Sequence, residues 1–349
     1  MGLTADTPLL VRVNNVNRMV YLGELYSMLR FSGVEVEVLS LDLSSFTTTF
    51  RRLRGITRVE GRDLILVEFS GGSLTLSVDQ RVYTINSYGF LKPMLSGELS
   101  TSHILVSINK RRPDVGRDGF NYLSFKHKSV KGEVEGVTCG SHEWIDLSPS
   151  KLKVFDALWW LLEGRERYGE GRKRGRGSER SRVYNCYSNP LRAYEISWLS
   201  RLQGYPSIVM RGGRRMCVSV VYEDGRVRDF TEKLPLEPLL KLRRAIRKSR
   251  QSEHVLHAMG HARMRFLSKR VATMAVIHLL CGGLPKGSEG VPSLILRNLV
   301  NLVFSDLVAV RVASVKRLDG RGDVYDIEVE DADTFFAGPI PILLSSRRS

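Results

Sequence analysis

The sequence predicts a protein whose two ends form one β domain, interrupted in the middle by an α/β domain. Three observations predict this architecture: strand patterns at both ends, amphipathic helices between them, and a long polar stretch where the first strand region stops. Terminal β segments of this length cannot easily form separate small sheets, so an insertion into one β-fold explains the order better. The predicted N-terminal part, insert and C-terminal part are residues 1–140, 148–300 and 301–349.

The N-terminal part is predicted to be rich in strands. The run "VEVEVLSLDL" alternates apolar and polar residues, which is the period-2 mark of a half-buried strand. Gly71 and Gly72 stand between two apolar runs and indicate a hairpin, because glycine tolerates the positive φ of a tight turn. One helix is predicted at "GELYSMLRFSG", closed by its final glycine. The other strands predicted here are "PLLVRV", the arms of "RDLILVEFSGGSLTLSVDQRVYTI" and "SHILVSI".

The middle part is predicted to mix helices with strands. A stretch rich in Lys, Gly and Asp leads into the helix "SPSKLKVFDALWWLLEG", and a run of Arg, Lys, Gly and Glu that cannot form a core follows it. Asn189 and Pro190 suit the cap and first turn of a further helix. The later predicted elements are the strand "VYNCYS", the helix "NPLRAYEISWLSRLQG", the meander "SIVMRGGRRMCVSVVYEDGRVRDF", the helices "PLLKLRRAIRKS" and "SKRVATMAVIHLL", and the strands "LVAVRVASVKRL", "DVYDIEVED" and "IPILL".

The charge of the chain favours a polyanionic partner. The sequence has 53 Lys and Arg against 37 Asp and Glu, which gives a formal net charge of +16. An excess of this size indicates attraction to nucleic acid, although some organisms simply make basic proteins. No apolar run reaches the length of a membrane helix and no signal-peptide pattern is present. We therefore expect a cytoplasmic protein with no membrane partner, and we expect a monomer.

The cysteines predict neither a zinc ribbon nor a disulfide framework. They are far apart and form no CxxC pair, so a reducing compartment fits. The four residues are Cys139, Cys186, Cys217 and Cys281.

Three stretches of the chain resemble inteins, the self-splicing elements with a Hint fold, and they lie in the family's order. The run "VYDIEVEDADTFFAG" is the most specific. The middle resembles, more loosely, the LAGLIDADG-type homing endonuclease domain that inteins carry there. The resemblance implies an all-β, horseshoe-like Hint domain formed by both chain ends, with an α/β endonuclease-like domain looped out between them. The three intein-like stretches are "GLTADTPLLVR", "GGSLTLSVDQRVYTINSYGFLKPMLSGELSTSHILVSI" and "SDLVAVRVASVKRLDGRGDVYDIEVEDADTFFAGPIPILL". The endonuclease-like stretch is "VYNCYSNPLRAYEISWLSRLQGYPSIVMRGGRRMCVSVV".

Splicing in this family needs a Cys or Ser as first residue, a histidine in the second block, a later histidine and a terminal His–Asn pair. Matched residue by residue, the sequence departs at each place. Gly2 has no side chain for attack, and Gln80 cannot exchange a proton near neutral pH. Asp333 stands for the late histidine, and Ser345 and Ser346 stand for the terminal pair. These five residues are predicted to be vestigial positions of a splicing-inactive protein, with only short segments outside them to ligate.

The endonuclease signature of the family is a helix that ends in an acidic residue followed by glycine. Two such helices hold divalent metal at the scissile phosphates. The run "DALWWLLEG" ends in Glu163, the candidate catalytic residue and metal ligand, but bulky residues stand where the family has small ones. An amphipathic helix with an exposed glutamate is the alternative. Since "AVIHLLCGG" has Gly282 in place of a second acid, we expect Mg²⁺ only if nuclease activity survives, and otherwise no cofactor.

Binding of double-stranded DNA needs only positive charge on a shaped surface, so it is expected to outlast cleavage. Basic residues cluster in a loop, at a hairpin turn, on one strand face and on a predicted helix. For any single arginine, a solvated face is the alternative. The helix carries Lys241, Arg243, Arg244, Arg247, Lys248 and Arg250. The candidate DNA-binding residues are Arg172, Lys173, Arg174, Arg176, Arg211, Arg214, Arg215, Arg226 and Arg228.

A small histidine cluster offers a second metal hypothesis. The spacing of His254, His257 and His261 places them on one helix face, and three imidazoles can bind zinc. No acid or cysteine lies at ligand spacing, so we expect solvated histidines.

Three functions stay open at the level of sequence. The first is an intein-derived protein that binds double-stranded DNA, does not splice, and is weak or inactive as a nuclease. The second is an active site-specific homing endonuclease, against which the single acid argues. The third is a fragment of a decayed intein with no selected function, against which the largely uninterrupted strand patterns argue.

Overall fold

The computed structural model describes residues 1–14, 16–32, 34–109, 182–202, 207–221, 233–246, 266–282 and 290–346. Strands predominate within these ranges. The strands from the first part are β1 Pro8–Val13, β2 Val16–Tyr21, β3 Val36–Asp42, β4 Thr47–Phe69, β5 Gly72–Ser77, β6 Arg81–Ile85, β7 Leu91–Leu95 and β8 Ile104–Ile108. The middle and last parts add β9 Arg182–Tyr187, β10 Ser207–Gly212, β11 Arg215–Val221, β12 Lys233–Pro235, β13 Phe266–Ser268, β14 Leu307–Val329, β15 Thr334–Ala337 and β16 Ile342–Ser345.

Five α-helices are present within the described ranges. The first follows β2, the second follows β9, and the other three belong to the middle and the beginning of the last part. They are α1 Leu22–Ser32, α2 Pro190–Leu202, α3 Glu237–Ala245, α4 Lys269–Gly282 and α5 Val291–Phe304. None of them has the length and apolar content needed to cross a membrane.

Both chain ends contribute to a single 11-stranded sheet. Its order is β15-β16-β6-β8-β14-β4-β3-β1-β2, with β5 paired to β4 and β7 paired to β6. Strand β14 from the last part lies between β4 and β8 of the first part, and β16 pairs with β6 and β8. The prediction that the two ends fold together as one sheet is therefore confirmed.

The opening "TADTP" segment and the closing "DTFFAG" segment lie side by side. The backbone N of Gly338 donates to Pro8 O at 2.9 Å. Thr334 Oγ1 accepts from Leu41 N at 3.0 Å and donates to Leu41 O at 2.7 Å, which fixes β15 to β3. These buried hydrogen bonds join segments separated by almost 300 residues.

Strands β4 and β14 pair antiparallel over most of their 23 residues. The sequence predicts two strands, "LVAVRVASVKRL" and "DVYDIEVED", where β14 runs continuously. The register shifts between Arg317 and Arg321, so the extra residues are absorbed as an irregularity in one strand. The strands β2 and β7 and the helix α5 were not predicted.

A strand, a helix and a hairpin follow each other in the middle, as predicted. Leu191 N donates to Asn189 Oδ1 at 3.0 Å, so Asn189 caps α2 with Pro190 at its first position. Strands β9, β10 and β11 form a separate sheet in the order β10-β11-β9. Val209, Val218 and other apolar residues of this sheet and α2 form a small core of their own.

The expectation of no disulfide is wrong for one pair of cysteines. Cys186 and Cys217 form a disulfide bond between β9 and β11. The two residues are 31 apart in sequence, but the strand register places them directly opposite each other. Sequence spacing alone did not reveal this pairing, because strand register and not spacing decides which side chains meet.

The helices of the middle part contribute buried residues to an apolar core that they share with the large sheet. The inserted endonuclease-like domain itself stays a prediction. Trp198 of α2 is 0% exposed and its Nε1 donates to Gly338 O at 2.8 Å. Arg201 of the same helix donates to Ser207 O at 2.7 Å, and burial lowers its pKa to about 10. The shared core includes Leu10, Leu39, Tyr83, Val106, Trp198, Leu242, Leu279, Leu299, Phe336 and Leu343.

Candidate functional site

The five positions singled out for splicing lie where the first and last parts of the large sheet meet. Gly2 and Gln80 come from the first part, and Asp333, Ser345 and Ser346 come from the last part. Strand pairing between β16 and β6, and between β15 and β16, brings them to one junction. We call these five residues the junction site.

Gly2 lies against β14 with no space for a side chain. Leu3 N donates to Tyr325 O at 3.0 Å, and Tyr325 N donates to Leu3 O at 2.8 Å. A Cβ atom built on Gly2 would lie 2.6 Å from Val324 Cγ2 and 2.8 Å from Val324 Cβ. Since Val324 is buried, neither group can move into solvent. Any residue larger than glycine must therefore displace this part of β14.

Ser77 connects Gly2 to Gln80. Ser77 N donates to Gly2 O at 3.0 Å and Ser77 Oγ donates to the same oxygen at 3.2 Å. The carbonyl of Ser77 then accepts from Gln80 N at 2.9 Å and from Ser96 Oγ at 2.6 Å. Ser77 and Ser96 are fully buried, so these bonds are shielded from water.

The Gln80 side chain connects the two ends of the chain. It is 1% exposed, and its Nε2 donates to the carbonyl oxygens of Arg81 and Ser345, each at 3.0 Å. Two donor hydrogens thus satisfy two carbonyls. Because an amide does not titrate near neutral pH, Gln80 acts here as a structural clamp and not as an acid or base.

Ser345, Ser346 and Asp333 complete the junction site mainly through backbone groups. Ser346 N donates to Asp333 O at 2.9 Å. Ser346 Oγ donates to Ala332 O at 2.7 Å, and Ser345 Oγ donates to Ser346 O at 3.2 Å. Both hydroxyl protons therefore point at carbonyls and not at a base that could remove them.

Asp79 places a negative charge beside the junction site. Its Oδ2 accepts from the amino group of Met1 at 2.9 Å. Burial alone would raise the pKa of Asp79, but the hydrogen bond from the Met1 amino group and the charge of that group hold the pKa below its usual value. Its buried Oδ1 has no partner within the described part of the chain.

The chemistry available at the junction site is limited by these side chains. None of the five supplies a thiol or an imidazole. The only titratable group among them is the Asp333 carboxyl. Acyl transfer needs a nucleophile with an adjacent base, whereas both serine hydroxyls here donate to backbone carbonyl oxygens.

The predicted DNA-binding arginines that the structure describes surround the tip of the β10–β11 hairpin. Arg211, Arg214 and Arg215 are exposed. Arg211 opposes Met216, whereas Arg215 opposes Gly212, so Arg211 and Arg215 lie on opposite faces of the hairpin. Arg211 Nε donates to Gly213 O at 3.3 Å. The three cations therefore form a positively charged tip instead of lining one face; we call it the arginine tip.

The other candidate residues lie outside the described residues. Within the part of the chain that is described, no group of three or more His, Cys, Asp or Glu could hold a metal ion. The candidates outside are Glu163, Arg172, Lys173, Arg174, Arg176, Arg226, Arg228, His254, His257 and His261.

Sequence reasoning missed the residues that hold the junction site together. Ser77, Ser96 and Asp79 supply hydrogen bonds there. Ser77 ends β5, and Asp79 and Ser96 lie in short polar segments after it, where periodicity does not show which polar side chains meet. The clash at Gly2 was also not foreseen, because it depends on the position of Val324 more than 300 residues away.

Comparison with protein families found no family model that matches the chain. Among curated proteins, a replication factor C small subunit from Methanopyrus kandleri is 26% identical over 350 residues, which is 98% of this chain and 48% of that protein. The chain therefore spans about half the length of this curated relative.

Among solved structures, the chain is similar to several inteins. The transcription factor IIB Mvu mini-intein is 9% identical, with 99% of both chains covered and a TM-score of 0.41. An intein from a hyperthermophile is 21% identical over 31% of this chain and 72% of that chain, with a TM-score of 0.29. The TvoVMA intein is 13% identical over 31% and 71% of the two chains, with a TM-score of 0.27. TM-scores this low do not establish a common fold.

Proposed function

We propose that this chain is an intein-derived protein that does not splice and that binds double-stranded DNA. The observation that carries the proposal is the meeting of Gly2, Gln80, Asp333, Ser345 and Ser346 at one buried junction of the sheet. The resemblance to inteins assigns these residues to the places of the splicing groups. Their convergence supports a Hint-type ancestry, and their side chains supply neither the nucleophile nor the proton transfer that splicing needs.

The absence of splicing can be tested with the full chain placed between two folded reporter proteins. We expect a single intact fusion, because Gly2 has no side chain to attack the preceding carbonyl. Gel electrophoresis and mass spectrometry of the purified fusion measure this, and an active intein between the same reporters serves as the control. Ligated reporters, or cleavage at either junction, would contradict the proposal.

The proposed DNA affinity rests on the arginine tip and on the net charge of +16. A gel-shift titration of a DNA duplex over a range of salt concentrations tests it. Replacing Arg211, Arg214 and Arg215 with alanine should flatten the slope of log affinity against log salt by about 0.9 for each phosphate that is no longer neutralised. Arg18→Ala is the matched control, since Arg18 is an exposed arginine on β2. Affinity that does not change with salt would rule out the phosphate contacts.

The nuclease alternative depends on Glu163 and on Mg²⁺, which would stabilise charge on the attacked and leaving oxygens. We propose that cleavage is weak or absent. Incubation of the full chain with plasmid DNA and Mg²⁺ should leave no specific break. Specific cleavage that Glu163→Gln abolishes would replace this proposal with an active homing endonuclease.

The partial coverage of the replication factor C relative supports an origin of this chain as a segment inserted within a longer host protein. This chain matches 48% of that protein with 98% of its own residues. We infer that the matched half of the relative is an intein segment and that the ancestral host was a gene of the same kind. The inference requires the unmatched half of the relative to lie on both sides of the matched segment; a match at one end alone would contradict it.

A further inference from the structure

The turn between β6 and β7 carries two exposed aromatic side chains that the junction site does not use. Tyr88 is 39% exposed and Phe90 is 38% exposed. Asn86 Oδ1 accepts from the backbone N of Tyr88 at 2.9 Å and of Phe90 at 3.0 Å. Gly89 between them has a φ of +81°, a conformation that favours glycine. The turn is therefore well defined, and it presents both rings to solvent.

Two packed helices support this turn. Asn298 Nδ2 of α5 donates to Tyr88 O at 3.0 Å. Lys241 Nζ of α3 donates to Ser87 Oγ at 2.6 Å and lies 3.5 Å from the centroid of the Tyr88 ring. Because both supports come from helices of the shared core, the rings lose little freedom when a ligand binds them.

The surroundings of the two rings are positively charged. Lys241 lies on Tyr88, Lys92 follows Phe90 on β7, and Arg297 precedes Asn298 on α5. No acidic residue occurs between positions 86 and 95 or in α5. Glu237 stands four residues before Lys241 on α3, but basic residues outnumber this acid in the segments around the turn. Exposed rings in a region of excess positive charge are complementary to a ligand that carries flat apolar groups on a negatively charged backbone.

We propose that the Tyr88–Phe90 turn binds single-stranded nucleic acid. Unpaired bases stack on the two rings, and phosphates lie along Lys92, Lys241 and Arg297. A duplex fits less well because its base faces already stack on one another. Since every base has a π-face, we expect little preference for sequence. The surface shares no residue with the arginine tip, so it does not depend on the proposed duplex binding.

Fluorescence anisotropy of a labelled oligothymidylate of about 12 nucleotides, titrated with the full chain, tests the proposal. Tyr88→Ala and Phe90→Ala should each weaken binding roughly 5- to 150-fold, as expected for the loss of one stacked base. Lys241→Met should lower the salt slope by about 0.7. The matched control is Val16→Ala, an apolar side chain that is 52% exposed on the opposite edge strand β2, which should leave binding unchanged.

Three results would overturn the proposal. The first is no binding of the oligothymidylate by the unaltered chain. The second is unchanged affinity in both alanine variants when circular dichroism shows that they are folded. The third is binding of phosphatidylserine vesicles, but not of the oligothymidylate, that depends on the same rings. A chain with alanine at Arg211, Arg214 and Arg215 should still bind the oligothymidylate. Loss of duplex binding at the arginine tip can therefore be distinguished from loss of single-strand binding at the Tyr88–Phe90 turn.

Discussion

Placing a side chain at position 2 should destabilise the sheet, because a Cβ atom there would overlap Val324 of β14. The Cβ of Gly2→Ala would lie 2.6 Å from Val324 Cγ2. Real Cβ atoms essentially never show contacts under 3.0 Å, so Val324 or the strand around it must move. Serine or cysteine, the nucleophiles of splicing, would bring the same Cβ and a further atom. The change that would restore the nucleophile is thus opposed by the fold.

The expected loss of stability in Gly2→Ala depends on how far Val324 and its neighbours can move. Val324 is fully buried, and its neighbour Tyr325 exchanges two hydrogen bonds with Leu3. Inserting atoms into a packed core typically costs about 1–3 kcal/mol. Gly55 on β4 is the matched control, because nothing lies within 4 Å of a Cβ built there. Gly55→Ala should leave stability unchanged or raise it by about 0.4–1 kcal/mol.

Urea unfolding of the full chain and of both variants, followed by circular dichroism, measures these changes. We expect Gly2→Ala to lower the free energy of unfolding and Gly55→Ala not to lower it, with equal m values. Adding Val324→Ala to Gly2→Ala should recover part of the stability, which a double-mutant cycle detects as coupling. If Gly2→Ala is as stable as the unaltered chain, or if the two changes are strictly additive, the clash at position 2 is not real.

Three further predictions concern buried or charged groups elsewhere. Gln80→Ala should lower the free energy of unfolding by about 1–3 kcal/mol, because the carbonyls of Arg81 and Ser345 lose their buried donor; urea unfolding measures it, and unchanged stability would contradict the clamp. Reduction of the Cys186–Cys217 bond should lower the free energy of unfolding by about 2–4 kcal/mol. Thermal melts with and without dithiothreitol measure this change, and dithiothreitol should not alter the melting temperature of a variant with serine at both positions. Hydrogen bonds from Ser44 and Ser45 lower the pKa of Asp42 to about 2. The ionised Asp42 carboxylate therefore contributes fully to folding stability above its ordinary pKa near 3.8, and this contribution is lost as the pH falls towards 2. Thermal melts over this pH range should show a decrease in stability that Asp42→Asn does not share.

Several strands were predictable from the apolar residues that they bury. The alternation in the run that contains β3 and the apolar runs of β1 and β8 gave the right elements, and most residues of these three strands are buried. Strand β2 has three exposed residues in succession, so it shows no clean period. Helix α5 buries Ile295, Leu299 and Leu302 at helical spacing, so its period is present in the sequence. Their places depend on neighbours that are distant in sequence, and local patterns do not contain that information.

The junction site was partly predictable, but through resemblance and not through pattern. Block order indicated which residues should meet, and the hydrogen bond from Gln80 to Ser345 joins two of them across 265 residues. The shared core was missed for a different reason. The apolar face of α2, with Trp198, fits equally well a helix buried in its own domain or one packed on a neighbouring sheet.

The junction site also offers a physical reason why splicing residues can be replaced while the sheet persists. Most of its hydrogen bonds use backbone groups: Gly2 O, Ser345 O, Asp333 O and Ser346 N. Every residue type except proline supplies these groups, so the side chains of Asp333, Ser345 and Ser346 can change without unpairing a strand. A side chain at position 2, in contrast, would clash with Val324. Position 80 is different, since its side chain is itself the donor that joins the two ends. Selection for folding alone would therefore allow most of the junction site to vary but would keep a buried donor at position 80. Substitution of the four positions that carry a side chain by alanine, one at a time, should find that Gln80→Ala costs more stability than Asp333→Ala or Ser345→Ala.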